Sequence, residues 1–361
     1  MSIAEAVKLS PDEYTDFVPS RLQRLLGSAV VRRLLMVPVI GLVVAVIVFF
    51  VAHMLPGDPV DQLTNSVAGI TPEEIEGVRA SLGLDASLPV QFWNYLTGIF
   101  TGDLGDSFYS GRSVSSLLAD AVPATIELAF AAVILTTLMG ITTGIIAARA
   151  KGTWVDSFIR VGSTIGFSLP WFVVALVAII IFGVELGWLP ILGRLPSTID
   201  YEPTTGFILV DAVLQNNYGL IGPWLMHLIL PAFTLAATSA GFLTRVTRAA
   251  FLDSRSQPFV RTARMKGISE REIEVGHILR NASVPILTTS GLQLGGLLGG
   301  AVITEAVFSY PGVGSLLVEA VDRRDYFLLQ GAALAIALLF TLVNAIVDLA
   351  MLSVDPRLRR G

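Results

Sequence analysis

Six long stretches without any charged residue constrain the fold of this chain more than any other feature. Each is long enough to hold the roughly 20 apolar residues that a helix needs to cross a bilayer core. A soluble amphipathic helix would carry polar residues on every turn, and a transmembrane β-barrel would show short alternating segments instead. The sequence therefore predicts an all-α polytopic membrane protein with six transmembrane helices. The uncharged stretches are Leu34–Leu55, Leu128–Ala148, Val161–Val184, Ala212–Thr244, Val284–Thr304 and Tyr326–Val347.

The fourth stretch is longer than one span needs and holds Asn216, Asn217, His227 and Pro231, so we place its span in its second half. The first stretch begins too late, and is too long, for a typical secretory signal peptide. The expected spans are 34–54, 123–148, 159–184, 224–244, 284–305 and 326–350, within a transmembrane domain over 32–361.

Residues 1–31 read as an extension before the first span. Leu22, Leu25, Leu26 and Val30 share one helical face, which predicts a short interfacial helix on the inner membrane surface. For residues 1–18 a disordered polar tail is the alternative.

The distribution of basic residues predicts the orientation. Nineteen of the 24 Lys and Arg residues lie in four regions. These are the segment before the first span, the connection between the second and third spans, the connection between the fourth and fifth spans, and the C-terminal tail. Loops rich in Lys and Arg stay in the cytoplasm. Both termini are therefore expected to be cytoplasmic, and the acidic loop 55–122 is expected to face outward.

The loop 55–122 carries helix signals of its own. Thr71 can cap a helix that starts at Pro72 and has Glu74 in its first turn. An apolar stripe follows at Phe92, Tyr95, Leu96, Ile99 and Phe100. We expect a small helical cap on the outer mouth, which either faces a partner or is a folded decoration without a contact role.

The connection 246–283, here called the basic connection, predicts two short helices separated by a glycine turn. Ser256 can cap the first helix, with Pro258 in its first turn, and Gly267 can end it. Ser269 and Glu272 form a capping box for the second helix. Apolar residues among these charges indicate a docking element for another protein. A basic loop held at the lipid surface is the alternative.

The segment Phe259–Arg271 resembles the cytoplasmic signature loop of binding-protein-dependent ABC permeases, most closely the first permease subunit of the dipeptide/oligopeptide branch. The resemblance covers about 32–361. The broader signature begins Glu-Ala-Ala, whereas this chain has Arg261, Thr262 and Ala263 there, and its proline is delayed to Pro285. Further family-like motifs in matching order are Leu55–Pro59, Leu82–Asp85, Gly102–Gly105, Pro123–Leu128, Leu279–Ala282, Thr304–Phe308, Pro311–Gly314 and Asp355–Arg357.

The resemblance implies the fold of a type I ABC importer permease, with a coupling helix in the basic connection. ATP-driven closure of two separate ATP-binding subunits would move that helix and switch the spans between inward-open and outward-open states. The other implied partners are a second homologous permease, an extracytoplasmic substrate-binding protein and membrane lipid, with no nucleic acid. No cofactor is expected in this chain, because ATP and magnesium would sit on the partner subunits. The residues expected to contact the ATPase are Phe259, Arg261, Thr262, Ala263, Met265, Gly267, Glu270 and Arg271.

Glycines in the fifth span suggest close helix packing. Gly291, Gly295 and Gly299 recur every fourth residue, a spacing that lets helices approach closely. They either pack within the chain or line the passage beside the partner permease.

Glu305 and Glu127 lie near the outer ends of two spans. Local structural pairing is the favoured interpretation for both, and contact with a substrate amine or the partner permease is the alternative for Glu305.

Other classes of function lack their signatures. No lysine follows a glycine, so a phosphate-binding P-loop is absent. There is no catalytic serine or zinc-protease motif, and the chain has no cysteine. A self-contained secondary transporter is the remaining alternative, although we find no internal repeat.

The sequence leaves open the cargo, which could be a dipeptide, an oligopeptide, a nickel chelate, glutathione or a sugar. It also leaves open whether two different permeases or two copies of one assemble.

Overall fold

The computed structural model describes residues 29–54, 71–81 and 85–354. Within these ranges the chain is helical, and the only strand-like pairing is an isolated bridge between Asp106 and Ser113. The predicted interfacial helix before residue 29 and the beginning of the loop 55–122 lie outside the described residues, as does the tail after residue 354.

The helices follow one another with short connections over most of the chain. A π-helical segment, Ile179–Glu185, extends α6, and a second one, Ile273–Ile278, joins α10 to α11. The helices are α1 Ala29–Met54, α2 Pro72–Ser81, α3 Leu88–Thr101, α4 Val114–Arg149, α5 Trp154–Ser168, α6 Trp171–Ala178, α7 Ile208–Leu214, α8 Ile221–Ser256, α9 Pro258–Met265, α10 Glu270–Glu272, α11 Leu279–Val307, α12 Val313–Arg323 and α13 Tyr326–Val354.

By length and apolar composition, four described helices can cross a membrane, namely α1, α4, α8 and α13. Two bent pairs could each make one further span. One pair is α5 with α6 and its π-helical extension, bent by 109°. The other is the segment 270–293 with 295–307, bent by 42°. The described part of the chain is therefore an all-α polytopic membrane protein with four to six spans.

Tight packing between α4 and α8 forms the centre of the described structure. Gly140 and Gly144 of α4 face α8 so closely that a Cβ atom on Gly140 would lie 2.7 Å from the Leu243 side chain. A Cβ on Gly144 would lie 2.8 Å from the methyl group of Thr247. These two glycines allow the close approach of α4 and α8, because larger side chains would force the two helices apart.

Two helices lie in the outer loop, and the first begins at the predicted proline. Helix α2 starts at Pro72, and α3 covers the predicted aromatic stripe and ends at Gly102, whose φ is +79°. A buried carboxylate then ties this loop to the last span. Asp325 accepts hydrogen bonds from the Ser107 hydroxyl (2.6 Å) and from the Leu328 N–H (3.1 Å). The loop is thus fixed to the start of α13.

Candidate functional site

The basic connection folds as two short helices around a glycine turn. Helix α9 begins at Pro258, and Gly267 has the left-handed φ of +74° that the glycine-turn prediction requires. The Ser269 hydroxyl accepts the N–H of Glu272, which gives α10 the predicted serine cap. The cap of α9 differs from the prediction by one residue. Gln257 holds that position in extended backbone, while the Ser256 hydroxyl bonds back to the Asp253 carbonyl inside α8.

One face of α9 is buried in the chain's own core. Val260 and Ala263 are 1% and 6% exposed, and they pack in a cluster with Phe251, Ile273 and Ile278. Because that cluster joins the ends of α8 and α11 to the basic connection, α9 is held as part of the transmembrane body. Ala263, which we had placed among the ATPase contacts, points into this cluster.

The opposite face of α9 and the turn after it are exposed. Met265 has 74% of its surface exposed, and Phe259 is half-buried. Arg264 bridges the turn through a 2.6 Å ion pair with Glu270, whose pKa is lowered by that hydrogen bond. The structure thus leaves free a patch that we call the coupling surface. It consists of Arg261, Thr262, Met265, Gly267, Glu270 and Arg271.

Polar contacts connect the basic connection to two spans. Arg149, the last residue of α4, pairs with Glu274 at 2.6 Å. The Ser254 hydroxyl near the end of α8 donates to the Ile278 carbonyl at 3.1 Å. The first contact joins the connection to α4, and the second joins the end of α8 to the π-helical segment before α11.

A buried carboxylate that sequence reasoning missed fastens α5 to α8. Asp156 is 1% exposed and accepts two hydrogen bonds from Arg248, at 2.7 and 2.8 Å. It also accepts the Gly152 N–H at 3.1 Å. The available signal was a single acidic residue among the basic residues between the second and third predicted spans. Its partner on α8 lies 92 positions away and carried none.

Glu127 anchors the opposite, predicted outer, side of the molecule. Its carboxylate accepts the Arg194 guanidinium (2.6 Å), the Trp224 indole N–H (2.9 Å) and the Ile208 backbone N–H (2.7 Å). Arg194 also donates to the Gly206 carbonyl at 2.7 Å. Glu127 is therefore paired within the chain, although its partners are not local in the sequence. Sequence reasoning did not find Arg194 or Trp224, which come from distant segments.

Glu305 is also held locally. It is fully buried, and its carboxylate accepts the backbone N–H groups of Gly314 (2.7 Å) and Ser315 (3.2 Å) in the first turn of α12. A Cβ atom on Gly312 or Gly314 would overlap this carboxylate. The close approach explains the two glycines of the Pro311–Gly314 motif.

The glycines of α11 divide between two environments. A Cβ on Gly295 would lie 2.9 Å from the Phe340 ring of α13, and one on Gly300 would lie 3.1 Å from Leu235 and Trp171. Gly291 is buried. By contrast, a Cβ on Gly296 or Gly299 would meet no atom of the described chain within 4 Å. Gly295 and Gly300 therefore pack within the chain, whereas Gly296 and Gly299 face open space.

No group of three or more His, Cys, Asp or Glu side chains in the described ranges could hold a metal ion.

Two family models together match almost the whole chain. The model described as binding-protein-dependent transport system inner membrane component matches residues 140–360. Its companion for the N-terminal part of such membrane components matches residues 27–129.

Curated relatives match over most of their length. The probable D,D-dipeptide transport system permease protein DdpB of Escherichia coli (strain K12) is 42% identical over 88% of this chain and 93% of its own. The di/tripeptide transport system permease protein DppB of Pseudomonas aeruginosa (strain UCBPP-PA14) is 39% identical over 88% and 94%. The glutathione transport system permease protein GsiC of Salmonella choleraesuis (strain SC-B67) is 39% identical over 94% and 98%. Among solved structures, the inward-facing MetNI methionine ABC transporter aligns over 66% of this chain and 96% of its own, with a TM-score of 0.46 and 16% identity.

Proposed function

Because this chain belongs to the family of inner-membrane components of binding-protein-dependent transport systems, we propose that it moves di- or oligopeptides into the cytoplasm. Membership makes the chain the membrane-spanning permease subunit of an ATP-driven ABC importer, which works with ATPase and substrate-binding partners. The secondary-transporter alternative is not supported by these matches.

The peptide cargo rests on the relatives. Two of those named above are permeases for dipeptides or tripeptides, and the third is a permease for glutathione, itself a small peptide. In the proposed assembly this chain pairs with a homologous permease, binds two ATP-binding subunits that carry ATP and magnesium, and receives cargo from an extracytoplasmic binding protein. Both termini of this chain face the cytoplasm.

The observation that carries the mechanism is the two-faced build of α9. Its inner face, at Val260 and Ala263, is buried in the core, while Met265 on the other side is 74% exposed. An exposed apolar side chain on a surface that also carries the exposed Arg261 and Arg271 suits a protein groove with an apolar floor and a polar rim. We assign the coupling surface to the ATPase contact, together with the edge of Phe259.

Force applied to the coupling surface would reach the spans directly. Helix α9 shares its core with the ends of α8 and α11, and the Arg149–Glu274 pair joins the same body to α4. Packed cores switch between discrete arrangements rather than deforming continuously. Movement of α9 with the ATPase therefore favours one arrangement of the spans over the other.

The coupling surface is tested by purifying the chain from membranes and measuring the ATPase that comes with it. Met265→Asp should reduce the co-purified ATPase at least tenfold. The matched control is Val275→Asp, because Val275 is also an exposed apolar residue of the basic connection, with 58% of its surface exposed, but lies outside the coupling surface. Equal ATPase recovery in both variants, at equal membrane levels, would refute the assignment.

The cargo is tested separately by uptake into vesicles that hold the complete importer. Alanine peptides of two to five residues and glutathione should be imported in an ATP-dependent way, whereas free alanine and a disaccharide should not. Import of the disaccharide alone would overturn the peptide proposal and leave the coupling surface untouched.

A further inference from the structure

A cavity lies beside the break between α5 and α6. Its volume is about 540 Å³, which falls in the size range of small-ligand pockets. Three helical elements contribute to it: the broken pair, the middle of α8 and the middle of α11. Its lining residues are Phe167, Ser168, Leu169, Pro170, Trp171, Phe172, Thr238, Ser239, Gln293, Gly296 and Ile303.

The break exposes main-chain polar groups in the middle of an apolar segment. Helix α5 has 15 residues before the break, and α6 with its π-helical extension has eight and seven after it. The last carbonyls of a helix and the first N–H groups of the next have no partner inside their own helices. At membrane depth, such backbone is tolerated only where it is covered by protein or lines a water-filled cavity. The backbone groups at the break therefore need hydrogen-bonding partners at this cavity.

The side chains around the cavity supply hydrogen-bond acceptors that are not fully used. The Gln293 Oε1 atom is buried and has no hydrogen-bond partner within the described part of the chain. The hydroxyls of Ser168 and Thr238 donate to carbonyls of their own helices, at 2.8 and 3.1 Å. Each hydroxyl oxygen keeps lone pairs that can accept from a ligand. The cavity thus offers acceptors from side chains together with both acceptors and donors from the broken backbone.

Gly296 gives the cavity an open wall. A Cβ atom at this position would meet nothing within 4 Å, although the residue sits in the middle of a helix that is elsewhere closely packed. A side chain there would project into the cavity instead of into the protein. The absence of a side chain keeps this space clear.

We propose that this cavity binds the main chain of the peptide cargo during passage. The inference rests on the proposed peptide transport and names the contact site for it. A peptide presents alternating N–H and C=O groups whatever its sequence, and the Gln293 carbonyl, the hydroxyls and the ends of α5 and α6 can pair with both. The apolar rings of Phe167 and Phe172 offer no polar contact that would select one cargo side chain over another. A site of this kind accepts many peptides and rejects molecules without amide groups.

The absence of cysteine from the chain makes a labelling test clean. Gly296→Cys places a thiol in the cavity. Asn281→Cys places one at an exposed position near the start of the same helix and outside the lining, so it is the matched control. Both are labelled with a water-soluble maleimide in the purified complex without the binding protein. The alanine peptide that the wild-type complex imports best should slow labelling of Gly296→Cys at least fivefold and leave Asn281→Cys unchanged.

Any other pattern overturns the inference. If Gly296→Cys does not react in either the ATP-free or the ATP-bound complex, the cavity is closed to water and to cargo. If the peptide protects neither site, or both equally, cargo does not occupy this cavity specifically.

A second measurement tests recognition of the main chain through the peptide concentration that gives half-maximal protection of Gly296→Cys. Methylating the amide nitrogens of the same peptide should raise this concentration at least tenfold, whereas replacing alanine with leucine should change it less than threefold. The reverse order would indicate a side-chain pocket. If the wild-type complex imports no alanine peptide at all, the proposed cargo fails, whereas import without protection refutes only the cavity.

Discussion

Two ion pairs on opposite sides of the molecule differ in how deeply their charge is buried. On the predicted outer side, Glu127 is buried and accepts hydrogen bonds from three separate segments. In the basic connection, the pair Arg264–Glu270 has 43% and 59% of its side-chain surfaces exposed. A buried ion pair fixes structure because neither partner can be left alone. An exposed pair contributes little and remains available to a partner protein. The difference indicates a rigid end and a contact end.

The largest effect should come from breaking the buried pair. Glu127→Ala leaves the Arg194 guanidinium buried without a carboxylate, which should reduce the free energy of unfolding by about 3–5 kcal/mol. Asp120→Ala is the matched control, because its pair with Arg112 is more than half exposed on both sides. Denaturant unfolding in detergent should show a large shift for the first variant and less than about 1 kcal/mol for the control. Similar shifts would remove the contrast between buried and exposed pairs.

A buried carboxylate at the other side sharpens the comparison. Asp156→Asn keeps the shape but weakens the two hydrogen bonds from Arg248, which should cost about 1.5–3 kcal/mol in unfolding free energy. If burial and not location decides, this variant should resemble Glu127→Ala more than any exposed variant. An unchanged unfolding midpoint would mean that the side of the molecule matters more than burial.

Acid should loosen the predicted outer side through Asp211. Burial raises the pKa of this carboxyl, but hydrogen bonds from Thr205, Tyr201 and the neighbouring backbone outweigh burial and lower the pKa to about 2. Because the folded pKa lies below the unfolded value of 3.8, the stabilisation is present above about pH 4 and is lost as the pH falls towards 2.

Hydrogen exchange of the segment 201–214 should report this loss. Exchange in the wild type should rise between about pH 4 and 2 after correction for intrinsic rates. Asp211→Asn should show the faster exchange already at neutral pH and should lack the acid transition. A transition that persists in the variant would assign it to another group.

The smallest effect is expected at the exposed pair. Arg264→Gln removes the ion pair with Glu270, yet the unfolding midpoint should not change measurably, because both side chains are already solvated. The co-purified ATPase serves as the second readout. A clear loss of stability would show that this turn is part of the rigid body and not only of the contact end.

The sequence was informative where local chemistry decides the structure. Pro258, Gly267 and Ser269 begin, end and cap helices through their own backbone preferences and nearest neighbours, and the structure has them in those roles. The cap of α9 shifted by one residue because α8 continues through Ser256. Helix ends depend on such competition between neighbours.

The partners of the buried carboxylates were beyond sequence reasoning. Arg194 lies 67 positions from Glu127, and Arg248 lies 92 positions from Asp156. Only the packing of the spans brings each pair together. The bend after Ser168 was missed for a similar reason. An uncharged run reads as one straight span, whereas the residue before Pro170 is turned out of helical conformation at Leu169, with ψ of 135°.

Helix α8 joins the two sides that were compared. It has 36 residues and is therefore about 54 Å long at 1.5 Å per residue, well beyond a hydrocarbon core of about 30 Å. Trp224 near one end holds Glu127, and Ser254 near the other end holds the basic connection. The helix is therefore long enough to extend beyond the hydrocarbon core on both sides. In the proposed mechanism, a small rotation of the basic connection is carried along this helix to the side that holds Glu127, so opening on one side and closing on the other can be a single motion.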